Sequence, residues 1–243
     1  MFDDYNGNSP WIKGSQEKFE SIFKLHNIGK VKSYRSSETI YMQDDSGDTF
    51  YYVKAGRVKV FILQEDGTEK ILSIHEQGGF FGETTAIDQL PRPCCACAMI
   101  NSEIIALTQE ELVKLSQLDK DLYLALLQSL TRKIRMLSFQ IQDMSFLEAE
   151  QRIIHILLKL AADFGTSTAD GLKLSVSFSD QELAGLVGVC RVTVTKTLNA
   201  LKKQGLIDKQ YRNITIKNQM GLLKCLYTNE KNNMKHENLK LVD

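Results

Sequence analysis

The chain has 243 residues, 43% hydrophobic and 25% charged, ordinary globular proportions that exclude wholesale disorder or a fibrous repeat and predict one large or two modest domains. No apolar run approaches the ~20 residues that span a bilayer, and Met1 to Gly14 lacks the hydrophobic core of a secretory signal, so a cytoplasmic protein without membrane association is expected. Formal charge is zero, but residues 1–129 carry 13 Lys+Arg against 19 Asp+Glu and residues 130–243 carry 17 against 11, the asymmetry expected when only one half meets a polyanion.

From Ser33 to about Leu107 the sequence reads as short strands. Phe50-Tyr51-Tyr52-Val53, Val58-Lys59-Val60-Phe61-Ile62 and Lys70-Ile71-Leu72-Ser73-Ile74 are rich in aromatic and β-branched residues, and Ser46-Gly47-Asp48, Ala55-Gly56, Glu65-Asp66-Gly67 and Gly78-Gly79 supply turns between such runs. Many short strands separated by glycine turns predict a sandwich or small barrel. Gln64-Glu65-Asp66-Gly67 is a hairpin signal, because Asp-Gly readily adopts the positive φ of tight turns.

Five cysteines, Cys94, Cys95, Cys97, Cys190 and Cys225, are odd in number and unevenly spread, which argues against a secreted disulfide framework. In a strand Cys95 and Cys97 face one side and Cys94 the other, so a thiol redox switch or a soft-metal site is one reading. The other is buried, inert thiols, all five of them protected in the native protein.

Thr108-Gln109-Glu110-Glu111 starts a helix with an N-cap threonine and early acids. From Tyr123 the apolar residues Leu127, Leu130, Ile134, Leu137, Ile141 and Met144 follow at alternating spacings of four and three, a heptad seam that meets its copy on a second chain or packs on its own β domain. A second helix is expected over Phe146 to Leu160, a loop over Gly165 to Gly171, and a short strand over Leu172 to Val176. The residues beyond Tyr227 read as a polar, fraying tail.

Ser179-Asp180-Gln181-Glu182 has the form of a capping box. The helix it opens ends at Gly188, where a tight turn needs no Cβ, and the small Ala184 permits a close helix crossing. A second helix then runs from near Cys190 through Val194, Leu198 and Leu201, giving the helix-turn-helix arrangement of DNA readers. Between Gly188 and Arg212 stand six basic residues against Asp208 alone. With Val194, Leu198 and Leu201 turned inward, Arg191, Val192, Thr195 and Lys196 face outward, where Arg191 and Lys196 can reach guanine or phosphate and Val192 a thymine methyl. Thr193 and the helix-start N–H groups suit phosphate. Leu206 to Lys209 and Asn213 to Ile216 form a wing, with Arg212 at its tip toward the sugar-phosphate backbone.

Over residues 33–226 the chain resembles the CRP/FNR family of bacterial transcription regulators. The marks are Gly78-Gly79-Phe80-Phe81-Gly82-Glu83, the seam helix, Arg152-Ile153, and Gln181-Glu182-Leu183-Ala184 through Val192-Thr193-Val194-Thr195-Lys196. The resemblance implies an α+β architecture: a jelly-roll (double-stranded β-helix) sensor over residues 1–118, a dimerisation helix over 119–146 and a winged helix-turn-helix over 147–228, with the tail at 229–243. It further implies a homodimer on a near-palindromic site of double-stranded DNA, acting on RNA polymerase under a small-molecule effector.

In relatives that bind cyclic nucleotides, a Gly-Glu pair and an Arg-Ser pair hold the ribose and cyclic phosphate. Gly82, Glu83 and Arg92 match, but Pro93 or Cys94 occupies the serine position, and of the Thr-Ser pair that meets adenine Leu137-Ser138 keeps one. Fewer hydroxyl donors argue against cyclic AMP. Glu83 and Arg92 could instead pair with each other. The halorespiration regulators of the family, which bind halogenated phenols, resemble the chain in Val192-Thr193-Val194, Leu206-Ile207-Asp208-Lys209 and the long seam. They imply an aromatic anion against Leu137 and Ile141, with Arg92 or a lysine at its charge. No cysteine group precedes Cys94 to hold an iron–sulfur cluster. His75 is the candidate haem ligand, and a structural histidine is its other reading. No nucleophile–base constellation or phosphate loop suggests an enzyme, which leaves a cyclic-nucleotide-binding docking module as the rival.

Overall fold

A computed structural model of the chain describes residues 9–12, 17–118 and 120–226. The expected tail lies outside the described residues. Two compact units divide the chain within one long helix, at Ser138/Phe139.

In the first unit β1 (Trp11–Ile12) and α1 (Glu17–Leu25) precede β2 (Lys30–Tyr34), β3 (Thr39–Tyr41), β4 (Thr49–Ala55), β5 (Arg57–Leu63), β6 (Glu69–Glu76) and β7 (Phe80–Phe81). A short helix α2 (Glu83–Asp88), β8 (Cys95–Ala98), β9 (Ser102–Thr108), α3 (Gln109–Leu118) and the start of α4 (Lys120–Phe146) follow. The strands make two sheets, ordered β1-β6-β5-β8-β3 and β2-β9-β4-β7, a jelly-roll-like sandwich. The expected hairpin joins β5 to β6: Gly67 takes φ 82°, and the Gln64 N–H donates to the Thr68 carbonyl.

The unbroken apolar run in β4 has a physical reason: both faces of its sheet are covered. Tyr51 and Val53 turn inward with Tyr41, Val58, Val60, Phe81, Cys94 and Ile104. Phe50 and Tyr52 turn outward beneath Phe19 and Phe23 of α1, Leu115 of α3 and Leu122 and Leu126 of α4. A strand buried on both faces reads as a continuous run rather than an alternation. Thr108 begins α3 as its sequence predicts, with reciprocal bonds to Glu111. Helices α1 and α2 are additions to the strands expected from the sequence.

The second unit contains the end of α4, α5 (Ala149–Phe164), β10 (Gly165–Thr168), β11 (Gly171–Leu174), α6 (Asp180–Val187), α7 (Arg191–Lys203), β12 (Ile207–Gln210) and β13 (Asn213–Ile216). Residues 219–226 are again helical. Two expectations need correction. The helix expected from Phe146 begins at Ala149, because α4 runs through Phe146 and a new capping box forms between Glu148 and Gln151. The loop expected over Gly165 to Gly171 is mostly strand: β10 pairs antiparallel with β11, but all four of its residues are exposed, so no apolar alternation marks it. Asp143, near the end of α4, fastens α5 through Lys159 Nζ at 2.7 Å and His155 Nδ1 at 3.0 Å.

Candidate nucleic-acid interface and effector site

The capping box at Ser179 is formed: Glu182 N–H donates to Ser179 Oγ at 3.1 Å, and Ser179 N–H to Glu182 Oε2 at 2.7 Å. Helix α6 stops where Gly188 enters the left-handed region at φ 69° and its N–H returns to the Ala184 carbonyl. Ala184 is buried, as a close helix crossing requires. Val194, Leu198 and Leu201 are at most 1% exposed, which fixes the opposite side of α7 to solvent.

On that side stand Arg191, Val192 and Lys196, all exposed. Thr193 is half-buried, its hydroxyl 3.1 Å from Cys190 Sγ. Thr195 is also half-buried, and its hydroxyl donates to Asp180 Oδ2 at 2.6 Å. Arg212 sits with Tyr211 in the turn of the β12–β13 wing, but its guanidinium contacts Glu182 Oε2 at 2.6 Å. Lys209 pairs with Asp180, and Lys202 with Asp208 at 2.9 Å. Half of the six cations counted between Gly188 and Arg212 are therefore held in ion pairs, two of them by acids of α6 that lie upstream of the counted window.

In the first unit, Gly82, Glu83 and Arg92 come together at the β7–α2 turn. Gly82 has φ 73°, and a Cβ there would lie 2.8 Å from Arg92 Nη1; only glycine permits both the turn and the close approach. Arg92 is 3% exposed. Its Nη1 donates to the Gly82 carbonyl at 2.7 Å, its Nη2 to the Thr49 carbonyl, and its guanidinium lies 4.3 Å from the centroid of the Tyr41 ring. Tyr41, Tyr51 and Phe81 stack beside it, with centroids 5.1 to 6.2 Å apart.

The Glu83–Arg92 pair considered from the sequence is replaced by another. Glu83 takes Lys133 Nζ of α4 at 2.7 Å, and Lys133 also donates to the Phe80 carbonyl at 2.8 Å. The second Glu83 oxygen, Oε2, and Thr85 Oγ1 are buried without a hydrogen-bond partner. On α4 Leu137 is half-buried, while Ser138 and Ile141 are exposed, and the Ser138 hydroxyl is taken by the Ile134 carbonyl of its own helix. Sequence reasoning missed Lys133. Its signal is a second stripe, Leu122, Leu126, Ser129, Lys133 and Met136, again at four-three spacing, in which two polar residues interrupt a core-facing row.

His75 is 1% exposed and bonded through Nε2 to Ser73 Oγ at 2.8 Å. Burial holds its pKa well below the ordinary 6.5, assisted by the nearby Lys133 and Arg132 charges. Cys94, Cys95 and Cys97 are buried, and burial pushes the Cys94 thiol up to about 11. The expectation of five protected thiols fails at Cys190, which is exposed because it stands at the N-cap of α7. Bonds from Thr193 hold its pKa below the usual thiol value. Among the described residues no group of three or more His, Cys, Asp or Glu could hold a metal ion, and no helix is long and apolar enough to cross a membrane.

Comparison with known proteins agrees with both units. The cyclic nucleotide-binding domain model matches residues 31–119, and the Crp-like helix-turn-helix domain model matches residues 151–225. The cAMP-activated global transcriptional regulator CRP of Pasteurella multocida is 30% identical over 210 residues, covering 86% of this chain and 97% of the relative. The chain belongs to the CRP/FNR family of transcription regulators. As a CRP/FNR protein it is a ligand-responsive, DNA-binding regulator, and its relatives are regulators rather than enzymes. The family fold recurs in a CooA variant from Carboxydothermus hydrogenoformans, with a TM-score of 0.77 at 24% identity over 87% of this chain and 92% of that one. It recurs also in a single-substitution variant of CprK complexed with OCPA, with a TM-score of 0.74 at 20% identity over 90% and 97%. At these identities the likeness is one of fold.

Proposed function

We propose that the chain acts in the cytoplasm as a homodimer that reads a near-palindromic DNA site, controls RNA polymerase there, and responds to a small organic anion other than cyclic AMP, of the halogenated aromatic class. The observation that carries DNA reading is the exposed Arg191, Val192 and Lys196 on a helix whose other side is locked into a core. In the bound state Arg191 and Lys196 meet guanine edges or phosphates, Val192 a thymine methyl, and Thr193 a phosphate. Thr195 and Arg212 border the same face.

The seam supports the dimer. Leu122, Leu126 and Met136 are buried on one side of α4, whereas Tyr123 is 47%, Leu127 44%, Ile134 67%, Ile141 65% and Met144 49% exposed. Leu130 and Leu137 are half-buried in the same row. An apolar heptad stripe left open on one chain is the surface that a second copy covers.

The charges at the β7–α2 turn support the effector class. Glu83 is paired with Lys133, and the Arg92 guanidinium is bonded to carbonyl oxygens and faces aromatic rings, so it has no counter-charge among the side chains it is bonded to. A monoanion supplies it, and the aromatic stack of Tyr41, Tyr51 and Phe81 suits a flat apolar body. Pro93 offers no donor to a cyclic phosphate, and Cys94 is a buried thiol with a raised pKa. Effector control requires only that the ligand prefer one placement of the DNA-reading parts.

Selection from random-sequence duplexes followed by mobility shift tests the reading; a docking module would enrich nothing. Thermal-shift titrations test the effector: chlorophenols raise the melting temperature and cyclic AMP does not. The reverse result would remove the aromatic effector and leave the DNA reading intact.

A further inference from the structure

The first turn of α6 places two carboxylates, Asp180 and Glu182, beside a surface that meets a polyanion. Asp180 accepts from Thr195 of α7 with Oδ2 at 2.6 Å and from Lys209 of β12 with Oδ1. Glu182 serves the cap of α6 and also holds Arg212 in the wing turn at 2.6 Å. The Asp180 and Lys209 side chains are only 14% and 18% exposed, so this pair is shielded from solvent more than a surface ion pair would be. One carboxylate thus joins three elements: the first helix of the motif, the recognition helix and the wing.

A carboxylate near DNA repels phosphate, and one that holds Lys209 also withdraws a cation from phosphate. Both effects oppose sequence-independent binding, which depends on the number of phosphates neutralised. Neither opposes base reading by Arg191, Val192 and Lys196, whose orientation the Thr195 bond helps to set.

We propose that Asp180 is a positioning residue that determines specificity: it fixes the recognition helix against the wing through Thr195 and Lys209, and it restrains Lys209 from non-specific phosphate contact. This rests on the DNA reading proposed above.

The test uses the full chain and its Asp180→Asn, Asp180→Asn/Lys209→Gln, Thr195→Val and Thr195→Ser variants. Each is titrated against a random-sequence duplex and a selected site at salt from about 50 to 200 mM. Asp180→Asn releases Lys209, so the slope of log affinity on log salt steepens by about 0.9 per subunit, and the affinity ratio between the two salt limits grows about 3.5-fold for each subunit bound, about 12-fold for a dimer. Adding Lys209→Gln returns the slope to that of the unmodified chain. Thr195→Val leaves the slope alone but lowers the ratio of selected to random binding, which Thr195→Ser preserves. An unchanged slope in Asp180→Asn, or a steepening that survives Lys209→Gln, overturns the inference while the DNA reading stands. Failure of the unmodified chain to bind any duplex overturns both.

Discussion

Lys133 of α4 donates to the Glu83 carboxylate at 2.7 Å, so the Gly82–Glu83 turn of the β-roll is fastened to the helix whose other side carries the open seam. The two side chains are 14% and 5% exposed. Removing one partner of such a pair strands a buried charge, which costs far more than the pair contributes as a whole. Lys133→Met therefore lowers unfolding stability by about 3–5 kcal/mol. Glu83→Gln added to it recovers much of the loss. Urea unfolding of the single and double variants checks this, and additive losses would contradict it.

His75 predicts a distinct acid response. Its folded pKa lies below the ordinary 6.5 because it is buried, so the unfolded chain takes up the proton first as pH falls. The stabilisation is complete above pH 6.5 and declines below it, by up to about 1.4 kcal/mol per pH unit. The depressed carboxyls of Asp143, Asp180 and Asp208 act lower, below their ordinary 3.8. Between about pH 6.5 and 5, His75→Gln flattens the stability profile measured by denaturant unfolding. A slope equal to that of the unmodified chain would mean that His75 does not carry it.

The thiols separate by position. Ellman's reagent modifies Cys190 in the native protein, whereas Cys94, Cys95 and Cys97 react only on unfolding. Because bonds from Thr193 favour the Cys190 thiolate, its rate of alkylation levels off at lower pH than that of a free thiol. Cys190→Ser removes the fast phase. A fast phase that persists would place the reactive thiol elsewhere.

The Ser179 cap contributes to the reading motif as a local bond. Ser179→Ala removes the acceptor for the Glu182 N–H and lowers stability by about 1 kcal/mol, measured as a shift of the denaturation midpoint. Ser179→Thr retains most of the stability, since threonine also caps and keeps a hydroxyl to donate to Glu182 Oε2, as Ser179 does at 2.8 Å. Equal losses in both variants would point to a role for Ser179 other than capping.

The sequence is most informative where a local rule and the tertiary environment agree. Ser179, Ala184 and Gly188 each satisfy a local demand of the helix-turn-helix, and the folded chain meets those demands with the expected bonds. Asp66-Gly67 does the same in its hairpin. The sequence says less where a contact joins distant segments. Lys133 meets Glu83 across 50 residues, and Asp180 meets Lys209 across 29, so counting charges along the chain places neither pair and overstates the free cations on the reading face. Strand β10 is hidden for another reason: its side chains face solvent, and only its backbone pairing makes it a strand.

In the proposed complex two chains, joined along α4, present Arg191, Val192 and Lys196 to successive grooves of one duplex. Sedimentation velocity with a labelled, selected duplex measures this stoichiometry. A complex of two chains per duplex is expected, lost on Lys196→Glu although that variant still sediments as a pair. A complex containing one chain, or undiminished binding by Lys196→Glu, would contradict it.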